Sequence, residues 1–286
     1  MTAIAARQVT KAFGDVVAVD GASLDVERGE VIGLVGANGA GKTTLIKVIL
    51  GLLAPDSGTV ELAGGPPSRR TRRRVGYVPQ GLGLWTDLTL PEHLSLSGDV
   101  YGHRPSGIRD GGLEAVAADL IGALPLGLRR RAAFEVALAH DPEVVILDEP
   151  TSGVDPLGRS RLWETIRGVA DAGAGVLVST HYLDEASRCD RIVLLVDGQV
   201  VAQGAADELA ADREAVQVTS NQWEQAWQRL EAADLAVLPA GRRLRVSGAD
   251  GDEVRAALGD LDAEVALAPA TLEEVFLEVT ARRRDG

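Results

Sequence analysis

One stretch constrains this chain more than any other: Gly36-Ala37-Asn38-Gly39-Ala40-Gly41-Lys42-Thr43-Thr44. An apolar run, Val31 to Val35, precedes it, and Leu45-Ile46-Lys47-Val48-Ile49-Leu50 follows. The pattern predicts a buried strand, a glycine loop and a helix. The spacing of Gly36, Gly41, Lys42 and Thr43 is that of a P-loop. Glycines let successive backbone N–H groups turn inward around phosphate oxygens. The helix N-terminus adds unpaired N–H groups and a dipole that favours an anion. Lys42 is placed to reach β- and γ-phosphates, and the Thr43 hydroxyl to hold Mg²⁺. The alternative is a plain glycine turn between two core elements. It is disfavoured because the strand and the helix flank the loop as phosphate binding demands.

A second stretch answers the first. Val144-Val145-Ile146-Leu147-Asp148-Glu149 reads as a buried parallel strand ending in two carboxylates. The carboxyl end of such a strand is where open α/β sheets place ligands. Asp148 suits the Mg²⁺ shell, and Glu149 suits a general base for water. Together with the P-loop, the pair indicates nucleotide hydrolysis. Val75 to Gln80 is another strand ending at a polar residue, and Gly175 to Ser179 is an apolar strand followed by Thr180-His181. His181 falls at the same sheet edge as the P-loop and Glu149.

The net charge of −13 argues against a chain that coats nucleic acid. The single cysteine, Cys189, excludes an intramolecular disulfide and reads as a passive thiol. The N-terminus lacks a signal-peptide pattern, and no apolar run is long enough to cross a bilayer. A cytoplasmic chain is expected, with any spanning helices supplied by another polypeptide. The first residues read as strands 3–10, 16–19 and 22–26, with turns at Gly14-Asp15 and Asp20-Gly21. Phe13 stands at the first turn, free either to stack on a base or to pack locally. Arg69, Arg70, Arg72, Arg73 and Arg74 form a basic cluster, read as a solvated face or, more sharply, as a site for an anionic partner.

Residues 82–140 are expected to be mainly helical, including a helix at 114–124 and a loose loop at 102–112. Asp197-Gly198 signals a hairpin. Strands alternating with helices give an α/β sheet over 1–206. The tail, 207–286, has 17 acidic and 9 basic residues and reads βαββαβ plus a helix. That order suits a small ferredoxin-like α+β domain.

With these parts located, the chain resembles the ATP-binding subunit of ABC transporters over its whole length. The resemblance implies a P-loop NTPase fold of ABC type with a helical subdomain at about 82–140. It implies ATP and Mg²⁺ as ligands, and ATP hydrolysis coupled to transport. Gly36 to Thr43 match Walker A, with Thr44 next to it among the nucleotide-binding residues, and Asp148 and Glu149 match Walker B and its catalytic glutamate. Gln80 matches the Q-loop, which senses the γ-phosphate and touches the metal. Ser152-Gly153-Val154-Asp155-Pro156 matches the D-loop, and Ser179-Thr180-His181 the switch histidine. Phe13 falls at the aromatic that stacks on adenine. Thr271 to Leu277 looks like the end of ABC-2-type export ATPases, including drug-efflux subunits.

The resemblance implies two partners: an integral membrane permease and a second ATP-binding subunit, a homodimer ahead of a heterodimer. The chain would then sit at the cytoplasmic face of the membrane. Leu82, Leu84, Trp85 and Leu88 fall where the family docks its permease. One motif departs. The signature Leu-Ser-Gly-Gly-Gln is replaced by Leu124-Pro125-Leu126-Gly127, of which Gly127 keeps the phosphate-facing role. Arg129, Arg130 and Arg131 are expected to raise the local potential there. A soluble ABC ATPase and a weakly hydrolysing nucleotide-binding regulator are the alternatives.

Overall fold

The structure is a computed structural model that describes residues 1–102, 107–211 and 213–281. The chain forms two compact units, Met1–Val200 and Val201–Gly286. It opens with β1 (Thr2–Phe13) and β2 (Val16–Glu27), a long antiparallel hairpin that turns at Gly14-Asp15. The expected second turn, at Asp20-Gly21, is absent. Gly21 adopts φ 60° as an irregularity inside β2, and Asp20 N–H donates to Gly198 O at 2.8 Å. The positive φ that reads as a turn in sequence here kinks a continuous strand.

Next come β3 (Val31–Val35), α1 (Lys42–Ile49), β4 (Ser57–Leu62), α2 (Arg69–Arg72) and β5 (Val75–Val78). They are followed by α3 (Leu90–Tyr101), α4 (Leu126–Leu138), β6 (Val144–Asp148) and α5 (Pro156–Asp171). β7 (Gly175–Thr180), α6 (Leu183–Ala186), β8 (Arg191–Val196) and β9 (Gln199–Gly204) complete the run. One sheet has the order β2-β1-β4, and a second has the order β5-β6-β7-β3-β8-β9. In the second, β5, β6, β7, β3 and β8 pair in parallel.

Strand alternation divides the large sheet between two cores. Ile32, Leu34, Val144, Ile146 and Leu177 face α1 and the three-stranded sheet. Val31, Val145, Leu147, Val176 and Val178 pack with Phe134 of α4 and with Leu162, Trp163 and Ile166 of α5. Covered on both faces, these strands are continuously apolar, and each fully buried Val, Leu or Ile contributes about 1.5–3 kcal/mol.

The segment between β5 and β6 carries α3, α4 and a small core of its own around Leu90, Leu94, Ile121 and Leu124. Thr89 and Glu92 form a capping box on α3, and Gly102 ends it at φ 75°. No helix runs through 114–124. Two 3₁₀ turns, Glu114–Val116 and Ile121–Ala123, stand there instead. Ile121 N–H donates to Leu88 O and Gly122 N–H to Thr86 O, so the backbone serves the facing loop. Of the loose loop expected at 102–112, residues 103–106 lie outside the described residues.

The second unit contains α7 (Ala206–Ala211), β10 (Glu214–Thr219), α8 (Trp223–Ala232), β11 (Ala236–Ala240), β12 (Arg243–Ser247), α9 (Gly251–Leu258), β13 (Glu264–Pro269) and α10 (Leu272–Ala281). Its antiparallel sheet has the order β11-β12-β10-β13, the ferredoxin-like arrangement of a split βαβ repeat. Val216, Val218, Val246, Leu230 and Val254 fill its core.

Candidate functional site

The loop after β3 is built around two obligatory glycines. A Cβ on Gly36 would sit 2.3 Å from Leu195 O, and one on Gly41, at φ 100°, would sit 2.2 Å from Ala18 O. Gly41 is also the N-cap of α1 and supplies no side-chain cap. The first-turn N–H groups of Lys42, Thr43 and Thr44 therefore lack intrahelical acceptors. These three residues line a cleft of about 270 Å³ together with Ala18, Asn38, Gly39, Gly41, Gln80 and Glu149. An open cradle of N–H groups at a helix start is suited to phosphate.

Of the two carboxylates that close β6, Glu149 lines the same cleft and Asp148 is buried behind it on Thr43. Thr43 Oγ1 donates to Asp148 Oδ2 at 2.9 Å. Ser179 Oγ donates to Asp148 Oδ1 at 2.6 Å and accepts from Glu149 N–H at 3.0 Å. Register explains this: Asp148 and Ser179 are direct partners in the β6–β7 ladder. The Glu149 carboxylate is surrounded by Gln80 Nε2 at 3.3 Å, His181 Nδ1 at 3.4 Å and Lys42 Nζ at 3.6 Å. His181 Nδ1 is near but not aligned for a hydrogen bond. Glu149 has φ 50°, a left-handed backbone in a non-glycine residue. Arg130 of α4 holds that backbone by donating through Nη1 to Glu149 O and Pro150 O, each at 2.9 Å. Strain of this kind persists where the surroundings over-determine it.

Lys42 is 5% exposed, and its ammonium donates to Gly36 O and Ala37 O at 2.8 and 3.0 Å. Burial pulls its proton affinity down, while Glu149 and Asp148 push it back up. A phosphate group entering the cleft would meet a desolvated cation, where charge-assisted bonds are strong. The donor set fits Mg²⁺: the hydroxyl of Thr43 and the carboxylate of Asp148 are hard oxygens already 2.9 Å apart at the cleft, with the Gln80 amide near.

Comparison with known proteins identifies the family. The family described as ABC transporter matches residues 19–152. Nod factor export ATP-binding protein I of Burkholderia lata is 37% identical over 292 residues, covering 96% of each chain. The chain belongs to the ABC transporter family, among its ATP-binding proteins. The probable multidrug ABC transporter ATP-binding protein YbhF of Escherichia coli is 40% identical over 221 residues. That match takes in 73% of this chain and 38% of YbhF, so the cassette spans under half of that relative. A solved ATP-binding subunit of an ABC transporter superposes with TM-score 0.68 at 32% identity, over 73% of this chain and 92% of the other. The fold is thus that of the ABC ATPase cassettes.

Within this ABC cassette, the residues singled out from sequence fall into two groups. Gly36 to Thr44, Gln80, Asp148, Glu149 and His181 gather at the loop and the adjoining strand ends, with Ala40 buried behind the loop. Phe13, Gly127 and Asp155 are not part of that group; Gly36, Ala37, Ala40, Asp148 and His181 belong to it but do not line the cleft itself. Phe13 is 49% exposed at the end of β1, with Lys11 Nζ 5.7 Å from its ring centroid. Asp155 caps α5, its Oδ1 accepting from Gly158 N–H at 2.9 Å. Gly127 is in the first turn of α4, with open space where a Cβ would stand.

The expectation for the arginine run is corrected. Arg130 is buried on the Glu149 backbone and Arg131 is paired with Asp110, so neither charge is free to raise the potential at Gly127. Sequence reasoning missed Ala18, and it named Ser179 and Arg130 without the roles they have here. Ser179 carried a signal, a polar residue closing an apolar strand. Arg130 carried none that set it apart from its neighbours.

Proposed function

We propose that this chain is the ATP-hydrolysing subunit of an ABC exporter and powers a separate membrane-spanning partner. ATP places its phosphates on Gly36 to Thr44, with Lys42 as counter-charge and the first-turn N–H groups as donors. Thr43, Asp148 and Gln80 would hold Mg²⁺, which when bound neutralises charge on the phosphates. Glu149 aligns a water and accepts its proton as the oxygen attacks the γ-phosphorus and ADP leaves. Gln80 holds that carboxylate in place, His181 stands beside it as the catalytic histidine, and Phe13 stacks on adenine. Two copies face each other, with Gly127 and Asp155 of each acting at the other's ATP; a homodimer is preferred to a heterodimer. The ATPase domain is residues 1–206, with its helical subdomain at about 82–140, and 207–286 are an accessory domain.

The observation that carries this reading is the Glu149 carboxylate, held within 3.6 Å of Lys42 and within 3.4 Å of His181 at the mouth of the phosphate loop. Export of a small molecule is supported by relatives named for Nod factor export and multidrug transport. Among the described residues no helix is long and apolar enough to cross a membrane, so the partner supplies the path and the cargo contacts. The cassette then works at the cytoplasmic face of that membrane.

The test pairs two variants. Lys42→Ala should weaken ATP binding at least about tenfold, the loss of one charge-assisted contact. Glu149→Gln should keep ATP affinity and lose about 100-fold or more in turnover, because an amide accepts no proton from water. Full turnover in Glu149→Gln refutes the assignment. A second reading, a regulator that binds ATP with little hydrolysis, is favoured by Pro125, which opens α4 with no side-chain cap. Negligible turnover of the parent chain with its membrane partner would select it.

A further inference from the structure

Hydrolysis at Glu149 draws on no residue of α6, yet α6 buries an acid. Glu185 is 2% exposed, in the short helix that follows His181. Burying a carboxylate is unfavourable unless its surroundings compensate. A hydrophobic residue of similar volume would fill the space without that cost.

One oxygen of Glu185 serves the turn that carries His181. Thr180 Oγ1 donates to Glu185 Oε2 at 2.9 Å and accepts from Tyr182 N–H at 3.0 Å. The backbone of Thr180 is tied to the phosphate loop, its carbonyl accepting from Gly36 N–H at 3.3 Å. Thr180 is itself 2% exposed and pairs with Val35 in the β3–β7 ladder. The turn over residues 180–182 is therefore pinned from inside, through one hydroxyl, by Glu185.

The charge of Glu185 serves Arg130. Burial pulls the proton affinity of Arg130 down, and the charges of Glu149 and Glu185 oppose that pull. Arg130 commits Nη1 to the carbonyls of Glu149 and Pro150. Its Nε is buried without a hydrogen-bond partner among the described residues, and so is Glu185 Oε1. The two side chains are not in contact, but a protein interior screens their charges weakly.

We propose that Glu185 is a positioning residue for ATP hydrolysis, holding the His181 turn through Thr180 and steadying, as a counter-charge, the Arg130 clamp on the Glu149 backbone. The proposal rests on the reading of Glu149 as the base. One buried side chain then sets two features of that base. The first is its neighbour His181, whose Nδ1 is 3.4 Å from Glu149 Oε1; the second is its own backbone at φ 50°. A base displaced slightly from its water loses turnover before the site loses affinity. Glu185 does not line the nucleotide cleft, so ATP binding is spared.

The test is steady-state ATP hydrolysis by the full chain, with the folded fraction of each variant checked by circular dichroism. Glu185→Gln keeps an oxygen for Thr180 and removes the charge; kcat should fall about tenfold with KM for ATP within about twofold of the parent. Thr180→Val keeps the shape and removes the hydroxyl, and should show the same split. Thr180→Ser restores the hydroxyl and should recover most of the rate. Glu185→Gln added to Arg130→Met should cost no more than Arg130→Met alone, because the two residues act as a unit. If Glu185→Gln does not fold, the Thr180 pair decides. Parent-like kcat in Glu185→Gln and Thr180→Val, with Glu149→Gln inactive, overturns the positioning role and leaves the base standing. Full turnover in Glu149→Gln overturns both. A loss that Thr180→Ser does not recover assigns the hydroxyl to packing alone, and additive losses in the double variant overturn the link to Arg130.

Discussion

Arg130 carries a charge into a part of the molecule where only 5% of its surface meets solvent. Burial pulls its proton affinity down, with Glu149 and Glu185 opposing. Its return is positional: two bonds fix the carbonyls of Glu149 and Pro150 and hold the φ of 50° at Glu149. We predict that Arg130→Met costs about 3 kcal/mol of stability in urea unfolding, since two buried carbonyls lose a charged donor. The same variant should lower kcat about tenfold at nearly unchanged ATP affinity, because a misplaced base acts on turnover before binding. A variant as stable and as active as the parent would refute the positioning role. Ser179 teaches a related lesson. Its hydroxyl joins Asp148 to the backbone of Glu149 only because β6 and β7 are neighbours in register. Asp148 and Glu149 stand out in the sequence as acids closing an apolar run, whereas their supports come from strands and helices far along the chain.

At the scale of elements, α4 decides how the altered signature is presented. Pro125 takes the N-cap position at ψ 151°, and Leu126, 37% exposed, stands where a cap or a glycine would leave backbone open. Proline lacks an N–H, and leucine blocks close approach. The Leu126 side chain also lies against Gly153, 3.0 Å from where a Cβ on that glycine would be. Loss of one charge-assisted bond of about 1.5–3 kcal/mol slows closure roughly tenfold or more. Replacing Pro125 with Ser and Leu126 with Gly together should therefore raise the steady-state ATPase rate. An unchanged or lower rate would mean that α4 has repacked around Pro125. Elements with a local signature were legible, as the glycine loop that leads into α1 illustrates. The helix expected at 114–124 was not. Its apolar spacing of Val116, Leu120, Ile121 and Leu124 is genuine, but the N–H groups of Ile121 and Gly122 are committed to Leu88 and Thr86. Of these residues Ile121 and Leu124 are buried while Leu120 is 48% exposed, and periodicity is blind to where the backbone bonds go.

At the scale of the whole molecule, Cys189 reports on the integrity of the large sheet. It is buried against Gly33 of β3, and burial pushes its thiol from 9.0 up to about 12. Below the unfolded value both states keep the proton, and the contribution to stability is complete. Between 9.0 and about 12 the unfolded chain releases its proton while the folded chain holds it, so stability falls as pH rises through that window. The urea midpoint of the parent chain should drop more steeply there than that of Cys189→Ala, and equal slopes would refute the linkage. The glycines of the phosphate loop, the apolar strands and the paired acids could be read without a structure. Each is a demand that the local chain makes on itself: a positive φ, a close approach, or a strand covered on both faces. The split βαβ order of the second unit was legible for the same reason, through alternating short periods. The tertiary structure alone decided that Asp20-Gly21 bends a strand, that Arg130 clamps Glu149, and that Ser179 faces Asp148. It alone brought Arg69, Arg70 and Arg73 beside Tyr101. Each of these depends on which distant segments become neighbours, and a one-dimensional pattern carries no term for that contact.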